Sequence, residues 1–308
     1  MLIGSAAASL TRVIRNWVNA PRENRELRAR LAQVRKQRAR LRTGLERCTA
    51  DLEETRASLK RALGYLERAR RELDGLRQFT LEVFPDVAIP DDVRRVLAAV
   101  REERLTHLSD TALTSLVSCV LEADASGREG LVIEAGTALG GTAIAMAAAK
   151  SPERPMVVYD VFGVIPPPTE QDGAAARERY ADIAAGRSRG LGGDVYYGYR
   201  EDLLGEVTTS FARHGVPVEE HRVELVPGLF KDTIKVDEPV ALAHVDGDWY
   251  ESTATCLTRL VPHLVPGGRI VVDDYWTWSG CRTAVDEYVA DHPELRVERR
   301  AVVHLVRR

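Results

Sequence analysis

The chain has 308 residues, 44% of them hydrophobic and 29% charged, with a net charge of -3 at pH 7. This length predicts two domains or one large domain with an extension, and the composition is ordinary for a protein with a buried core. Its four cysteines form no CxxC pair, which argues against a zinc site or disulfide framework and fits a reducing cytoplasm. No apolar run is long enough to span a bilayer, and residues 1–20 lack the apolar core of a secretory signal.

Residues 1–20 are predicted to form a short amphipathic helix, because Val13, Ile14 and Trp17 follow helical spacing and Pro21 ends the pattern. A basic helix with Trp on its apolar face can lie on an anionic membrane, but packing against protein is the favoured interpretation. The basic charge continues beyond this helix, since residues 1–47 carry twelve Arg or Lys and three Asp or Glu, about +9.

Residues 21–78 are predicted to form a coiled-coil helix, because apolar residues recur at alternating intervals of four and three. The core positions are Leu27, Leu31, Val34, Arg38, Leu41, Leu45, Cys48, Leu52, Thr55, Leu59, Ala62, Leu66, Ala69, Leu73 and Leu76. One helix cannot bury such a stripe alone, so the pattern predicts a homo-oligomer. The excess of Arg could suggest nucleic acid, but no nucleic-acid motif accompanies it and a solvated basic face is favoured.

Residues 79–125 are predicted to form a connector with small helices. Pro85 and Pro90 stand in turn signals, and residues 93–105 and 110–123 are amphipathic. We expect these helices to cover the mouth of the domain that follows.

The domain formed by residues 126–308 begins with a strand that ends at Glu134 and continues into a glycine-rich turn and an Ala-rich helix. The next strand ends at Asp160. Glycines let the backbone approach a ligand, and an acid at the second strand end can bind ribose hydroxyls. Gly136 and Gly140 lie four residues apart, which departs from the GxGxxG of dinucleotide enzymes and is more typical of S-adenosylmethionine sites.

Residues 161–220 are predicted to be a long insertion that forms a lid and an acceptor pocket. Pro166 opens a proline run in it, and Tyr196, Tyr197 and Tyr199 follow a glycine cluster. Tyrosines can stack on a sugar or an aromatic ring, and they can equally serve as packing between lid and core.

Two further apolar strands end in carboxylates. Residues 240–243 lead into Asp246, residues 270–272 lead into Asp273 and Asp274, and a helical pattern lies between them. The two strands are therefore predicted to be parallel neighbours, with all three acids at one edge of the sheet. Converging carboxylates favour a hard divalent ion, most simply Mg2+. The alternative is that Asp246 and Asp273 only cap the helices that follow.

The predicted fold class is thus α/β, with a Rossmann-like, mostly parallel sheet preceded by a long coiled-coil helix. Residues 295–297 and 302–306 are predicted to form a closing hairpin whose last strand is antiparallel.

Several motifs resemble those of the macrocin O-methyltransferase family. They are the Glu134-x-Gly136 turn, the 228–233 segment, the 244–252 segment with its Asp-Gly-Asp-Trp run, and the 267–275 segment with its paired acids. The resemblance covers roughly residues 105–308. It implies a class I methyltransferase fold, S-adenosylmethionine as methyl donor and Mg2+ as cofactor.

The resemblance also implies roles for individual residues. The metal ligands would be Asp246, Asp273 and Asp274, and Asp248 matches a position proposed as general base, with His244 as a second candidate. The donor would be bound by Glu134, Gly136, Thr137, Gly140, Asp160, Gly228 and Phe230. Asp248 could instead cap the helix that starts near Tyr250.

The function predicted from these motifs is Mg2+-dependent O-methylation of a hydroxyl on a sugar, a glycosylated natural product or a polysaccharide. A phenolic acceptor is one alternative. Another is a coiled-coil scaffold with a non-catalytic methyltransferase-like domain, although a degenerate domain need not keep three acids. A nicotinamide dehydrogenase is the third, and it lacks the usual glycine spacing.

Overall fold

The computed structural model describes residues 3–79 and 88–308, with side chains in the first range described at positions 12–15, 25 and 29–66. The chain divides into two units, Met1–Glu67 and Arg68–Arg308. The turn predicted at Pro85 falls in residues 80–87, outside the described residues. None of the described helices combines the length and apolar character needed to cross a bilayer.

The N-terminal helix α1 spans Ile3–Phe79 without interruption. It therefore runs through Pro21, where the sequence predicted that one helix would end and another begin. A proline removes one backbone hydrogen bond and usually ends or kinks a helix. Here it is followed by a long stretch rich in Arg, Leu, Ala and Glu, whose high helix propensity carries the helix past that position.

The predicted apolar stripe of α1 is exposed along its described length. Seven of its side chains are between 53% and 75% exposed: Leu31, Val34, Leu41, Leu45, Leu52, Leu59 and Leu66. The long helix is confirmed, and its assembly into a coiled coil stays a prediction.

The second unit is built on a seven-stranded sheet with the order β3-β2-β1-β4-β5-β7-β6. Its strands are β1 Leu131–Ala135, β2 Met156–Asp160, β3 Val223–Pro227, β4 Val240–Val245, β5 Leu264–Val272, β6 Leu295–Arg299 and β7 Val303–Arg307. Strands β1 to β5 pair in parallel, and β7 runs antiparallel to both β5 and β6. The predicted mostly parallel sheet with an antiparallel last strand is confirmed.

Helices cover both faces of the sheet. Because both faces of these strands are buried, their sequences are nearly continuous apolar runs. One face packs against α2 Asp91–Glu102, α3 Asp110–Ala125, α4 Gly141–Ala149 and α6 Leu203–Arg213. The other packs against α8 Tyr250–Leu260 and α9 Ser279–Ala290, and the short helix α7 Phe230–Thr233 follows β3.

The helices α2 and α3 differ from the expectation that they would cover the mouth of the domain. α3 buries residues such as Leu116 and Val120 in the same core as Leu242 of β4, so it covers a face of the sheet. Because α3 is apolar on several sides, it suits a position between the sheet and another helix better than a position over the mouth of the domain. The connection after α2 reaches the end of the glycine-rich turn, where the carbonyl of Leu105 accepts a hydrogen bond from the backbone N of Gly141, the first residue of α4, at 3.1 Å.

The predicted insertion 161–220 is shorter in the structure, because its last part contains α6. This helix buries Leu203, Val207 and Phe211 against the sheet and is the ordinary connection from β2 to β3. Residues 161–202, called the lid segment below, contain α5 Gly173–Ala184 and three short 3-10 turns.

Candidate active site

Three aspartates converge where β4 and β5 end. Asp246 N donates to the carbonyl of Ala135 at 2.9 Å and Asp273 N to that of Val245 at 3.0 Å, so both acids extend the parallel ladder by one residue. Asp274 follows immediately. One carboxylate oxygen from each of Asp246, Asp273 and Asp274 lies within 4.8 Å of the other two. The sequence predicted this convergence from the adjacency of the two strands.

Burial raises the pKa values of these three acids, and the charge of neighbouring acids adds to it for Asp246 and Asp274. Burial and then the charge of Asp273 raise the pKa of Asp246 well above its usual range, and burial and then the charge of Asp248 do the same for Asp274. Burial also raises the pKa of Asp273. Three oxygen-bearing groups that repel one another are the donor set expected for a hard divalent cation.

Neither Asp246 nor Asp273 caps a helix. The residues before α8 and α9 are Trp249 and Trp278, and no side chain of either supplies a capping hydrogen bond. The capping alternative therefore does not describe these acids.

Asp248 is held in an unusual backbone conformation beside the cluster. Its φ of 54° lies in the left-handed region, which is uncommon for a residue other than glycine. Its backbone N–H donates to Oδ2 of Asp274 at 2.8 Å, and its Oδ1 accepts from Nε1 of Trp278 at 2.9 Å. Burial, partly offset by the hydrogen bond from Trp278, raises the pKa of Asp248 to about 6.

The cap of α8 comes from another residue. Tyr250 N donates to Oδ1 of Asp172 at 2.6 Å, so the first turn of α8 is capped from the lid segment rather than by Asp248. Asp172 is 1% exposed. The sequence did not single it out.

The turn after β1 is fixed by Asp160. Its Oδ2 accepts from Thr137 N at 2.7 Å and from Ala138 N at 3.1 Å, and its Oδ1 accepts from Phe162 N at 2.7 Å. Gly136 has a φ of 96°, and a Cβ there would overlap the carbonyl oxygen of Asp246. The glycine thus lets the turn pass directly against the end of β4.

Glu134 and His244 form a pair inside the sheet. His244 Nδ1 lies 3.0 Å from Oε2 of Glu134, and both side chains are fully buried. Burial lowers the pKa of His244, but the charge and hydrogen bond of Glu134 outweigh it and raise that pKa overall. Both residues lie inside the sheet, and neither lines the cleft described next.

A cleft of about 830 Å³, open to solvent, lies over these strand ends. Its lining includes Gly136, Asp160, Phe230, Asp246 and Asp248 from the predicted set. Ile165 and Pro166 line it as well, from the insertion that was predicted to form the acceptor pocket. The lining also includes residues that sequence reasoning did not assign, among them Trp249, Glu251, Ser252 and Thr255. Trp249 was visible in the Asp-Gly-Asp-Trp run, but nothing local showed that it would face the cleft.

Gly228, Gly140 and Thr137, which were also predicted to bind the donor, are not among the residues that line this cleft. Gly228 N donates to the carbonyl of Asp160 at 2.8 Å, which places the turn after β3 beside the end of β2. Gly140 has a φ of 86° and precedes α4. Thr137 is buried under the turn.

Three tyrosines of the lid segment pack against one another, and one of them also lines the cleft. Tyr196 packs on Tyr197 and Tyr199, with ring centroids 4.3 and 5.0 Å apart. Tyr199 OH donates to the carbonyl of Ile183 at 2.6 Å. Tyr197 lines the cleft.

The sheet order, the glycine turn after β1 and the acids after β2, β4 and β5 define a class I methyltransferase fold. The solved structure of the O-methyltransferase NovP matches it with a TM-score of 0.56 and 27% identity, covering 70% of this chain and 96% of that one.

The model of the macrocin O-methyltransferase family, TylF, matches residues 88–296, and the chain belongs to this family. It is 32% identical over 182 residues to 8-demethyl-8-(2,3-dimethoxy-alpha-L-rhamnosyl)-tetracenomycin-C 4'-O-methyltransferase of Streptomyces olivaceus, a match that spans 57% of this chain and 64% of that protein. It is also 32% identical over 196 residues to mycinamicin III 3''-O-methyltransferase of Micromonospora griseorubida, spanning 61% and 71%.

Proposed function

We propose that this protein transfers a methyl group from S-adenosylmethionine to a hydroxyl of a sugar or glycosylated small molecule, with a divalent metal ion. The observation that carries the proposal is the convergence of Asp246, Asp273 and Asp274 beside a cleft whose floor is the glycine turn after β1. Membership of the macrocin O-methyltransferase family and the named sugar-methylating relatives support it.

The residues around the turn suit the methyl donor. Gly136 lets the turn pass directly against the end of β4 and lines the cleft, and the carboxylate of Asp160 lines the cleft while it fixes the turn. We assign the ribose hydroxyls to Asp160 and the adenine to the side of the cleft bordered by Phe230. Glu134 is fully buried against His244 and makes no contact with the donor in this assignment.

The acid cluster suits Mg2+. All of its donors are carboxylate oxygens, and a divalent cation would offset both the burial and the mutual repulsion that raise the pKa values of Asp246 and Asp274. When bound, the ion supplies Lewis-acid polarisation, which makes an acceptor hydroxyl more acidic. Asp246, Asp273 and Asp274 would hold it.

Asp248 is assigned to receive the acceptor proton. It lines the cleft next to the acid cluster, and Trp278 anchors one of its two carboxylate oxygens. A positioned carboxylate can take up the hydroxyl proton as the oxygen attacks the sulfonium methyl group. His244 is too deeply buried to act on an acceptor directly.

The acceptor side is assigned to the wall formed by Ile165, Pro166, Tyr197 and Trp249. Apolar and aromatic side chains pack well against the C–H faces of a sugar ring. The same wall would accept a phenol, so a phenolic acceptor remains the second candidate.

The test is a methyl-transfer assay on a matched panel. The protein is incubated with donor and Mg2+ and with rhamnosides, other glycosides and catechols of similar size, and the products are measured by mass spectrometry. A mass gain of one methyl group on glycosides, lost in excess chelator, supports the proposal. Transfer to catechols alone would replace the acceptor class, and no donor binding at all would favour the scaffold alternative.

We further propose that α1 pairs with copies of itself. Its exposed apolar stripe, Leu31 to Leu66, has the heptad period of a coiled coil. A second copy presents the same stripe, so self-association buries it without any other partner.

A further inference from the structure

We propose that Asp172 is a positioning residue for acceptor methylation: its buried carboxylate fastens the lid segment to the two helices that start beside the acid cluster. This inference rests on the proposed function. It assigns a role to a residue that does not line the cleft and that no sequence motif marked.

The first observation is the set of bonds that the carboxylate makes in two directions. Within the lid segment, Oδ2 of Asp172 accepts from Thr169 N at 2.7 Å and from Thr169 Oγ1 at 3.0 Å. Across the domain, Oδ1 accepts from Tyr250 N at 2.6 Å. One side chain therefore closes its own turn and caps a helix 78 residues further along the chain.

The second observation is that α8 supplies no cap of its own. Trp249 occupies the N-cap position, where Ser, Thr, Asp or Asn would normally satisfy the first N–H groups. α8 begins two residues after Asp248, so the carboxylate that caps it also fixes the end of the loop that carries Asp246 and Asp248.

The third observation is the space left for Asp172 at the start of α9. A Cβ on Gly280 would overlap the Asp172 carboxylate, and Ser279 Oγ donates to the Asp172 carbonyl at 3.3 Å. α9 follows the loop that carries Asp273 and Asp274. Asp172 thus meets the first turn of both helices whose preceding loops hold the acid cluster.

A separate bond fastens the same part of the lid segment. Nε1 of the buried Trp249 donates to the carbonyl of Pro166 at 2.8 Å. Pro166 belongs to the acceptor wall, and Asp172 lies six residues beyond it. With Asp172 in place, the wall and the acid cluster keep a fixed separation, as catalysis at an oriented hydroxyl requires.

The consequence is that loss of the Asp172 carboxylate should impair acceptor use and leave donor binding intact. The donor contacts assigned above, at Gly136, Asp160 and Phe230, lie on other strand ends. A residue needed only for stability would not separate the two substrates in this way.

The experiment compares Asp172→Ala and Asp172→Asn with Asp202→Ala. Asp202 is a matched control, because its carboxylate caps α6 by accepting from Gly205 N at 3.0 Å. We expect Asp172→Ala to lower kcat/KM for the acceptor at least about tenfold, with an unchanged dissociation constant for S-adenosylhomocysteine, and Asp172→Asn to lose less. Asp202→Ala should lose stability without this split.

A double-mutant cycle tests the contact with α9. Gly280→Ala should impair the acceptor step in the wild-type background, because the methyl group displaces the Asp172 carboxylate. In the Asp172→Ala background the same change should have little further effect, since the obstructed group is gone. Additive losses would overturn the proposal.

Limited proteolysis tests how firmly the lid segment is attached, without a measurement of methyl transfer. Arg187 and Arg189 are exposed in the lid segment after α5. Trypsin should cut there faster in Asp172→Ala than in the wild type or Asp202→Ala, even if the protein proves to have another activity. If trypsin cuts Asp172→Ala at the wild-type rate and the variant keeps the wild-type kcat/KM for the acceptor, the proposal is overturned. If that variant fails to fold, Asp172→Asn and Gly280→Ala decide it by the same readouts.

Discussion

Trp278 donates its indole N–H to Oδ1 of Asp248 at 2.9 Å, and so a residue at the start of α9 holds the carboxylate that follows β4. The two residues lie 30 positions apart in the chain. Their bond fixes the orientation of the group assigned to receive the acceptor proton.

Substitutions of Asp248 and of Trp278 should affect proton transfer separately from substrate binding. Asp248→Asn should lower kcat by about a hundredfold or more, the usual contribution of a positioned general base. Trp278→Phe should lower it about tenfold, because one hydrogen bond to a charged group is lost while most of the aromatic packing on Trp249 is kept. Steady-state kinetics at saturating donor measures both, and wild-type kcat in Asp248→Asn would remove the residue from the mechanism.

The metal assignment is tested by Asp273→Asn. Methyl transfer should fall by about a hundredfold or more, since even outer-shell partners of a metal site are worth about ten- to a hundredfold. The melting temperature without metal should not fall, because removing one of three crowded carboxylates relieves repulsion. Asp291→Asn, at the exposed end of α9, is the control, and full wild-type activity in excess chelator would contradict the assignment.

Asp160→Asn should weaken donor binding. An amide keeps the shape of the side chain but presents an N–H group where one carboxylate oxygen now accepts a backbone N–H. We expect the dissociation constant for S-adenosylhomocysteine, measured by calorimetry, to rise at least about tenfold. Unchanged binding would move the ribose contact to another residue.

Self-association through α1 is tested on two faces of that helix. Leu45→Asp with Leu52→Asp should lower the mass measured by light scattering, since both residues lie on the exposed apolar stripe. Ala50→Asp with Ala57→Asp, on the opposite face of the heptad, should leave the mass unchanged. A monomeric wild type would rule out the pairing.

The sheet and the acid cluster were predictable because they depend on local pattern and one topological rule. Short apolar strands ending in Asp246 and Asp273, joined by a single helix, must lie side by side in a parallel sheet. Once the strands are adjacent, their ends meet, whatever the rest of the chain does.

The contacts that seat the lid segment could not be predicted in this way. The bond from Tyr250 N to Asp172 joins positions 78 residues apart, and neither residue carries a local signal for the other. The burial of His244 against Glu134 could not be predicted either. The sequence around an acid at a strand end does not show whether its side chain faces the ligand or the sheet interior. Helix α1 passed through Pro21 because summed propensity along the helix exceeded the local signal to stop.

The glycine turn after β1 and the carbonyl of Asp246 touch directly, because Gly136 has no side chain to separate them. The elements assigned to donor and metal are therefore in direct contact with each other, and the lid segment joins them through Asp172. In the proposed assignment, Ile165, Pro166 and Tyr197 of the acceptor wall lie on the lid segment, and only Trp249 lies in the stretch assigned to the chemistry. Exchanging residues 163–171 between family members should change the range of accepted substrates and leave the reaction unaltered. This expectation requires that Asp160 and Asp172, on either side of the exchanged residues, are kept.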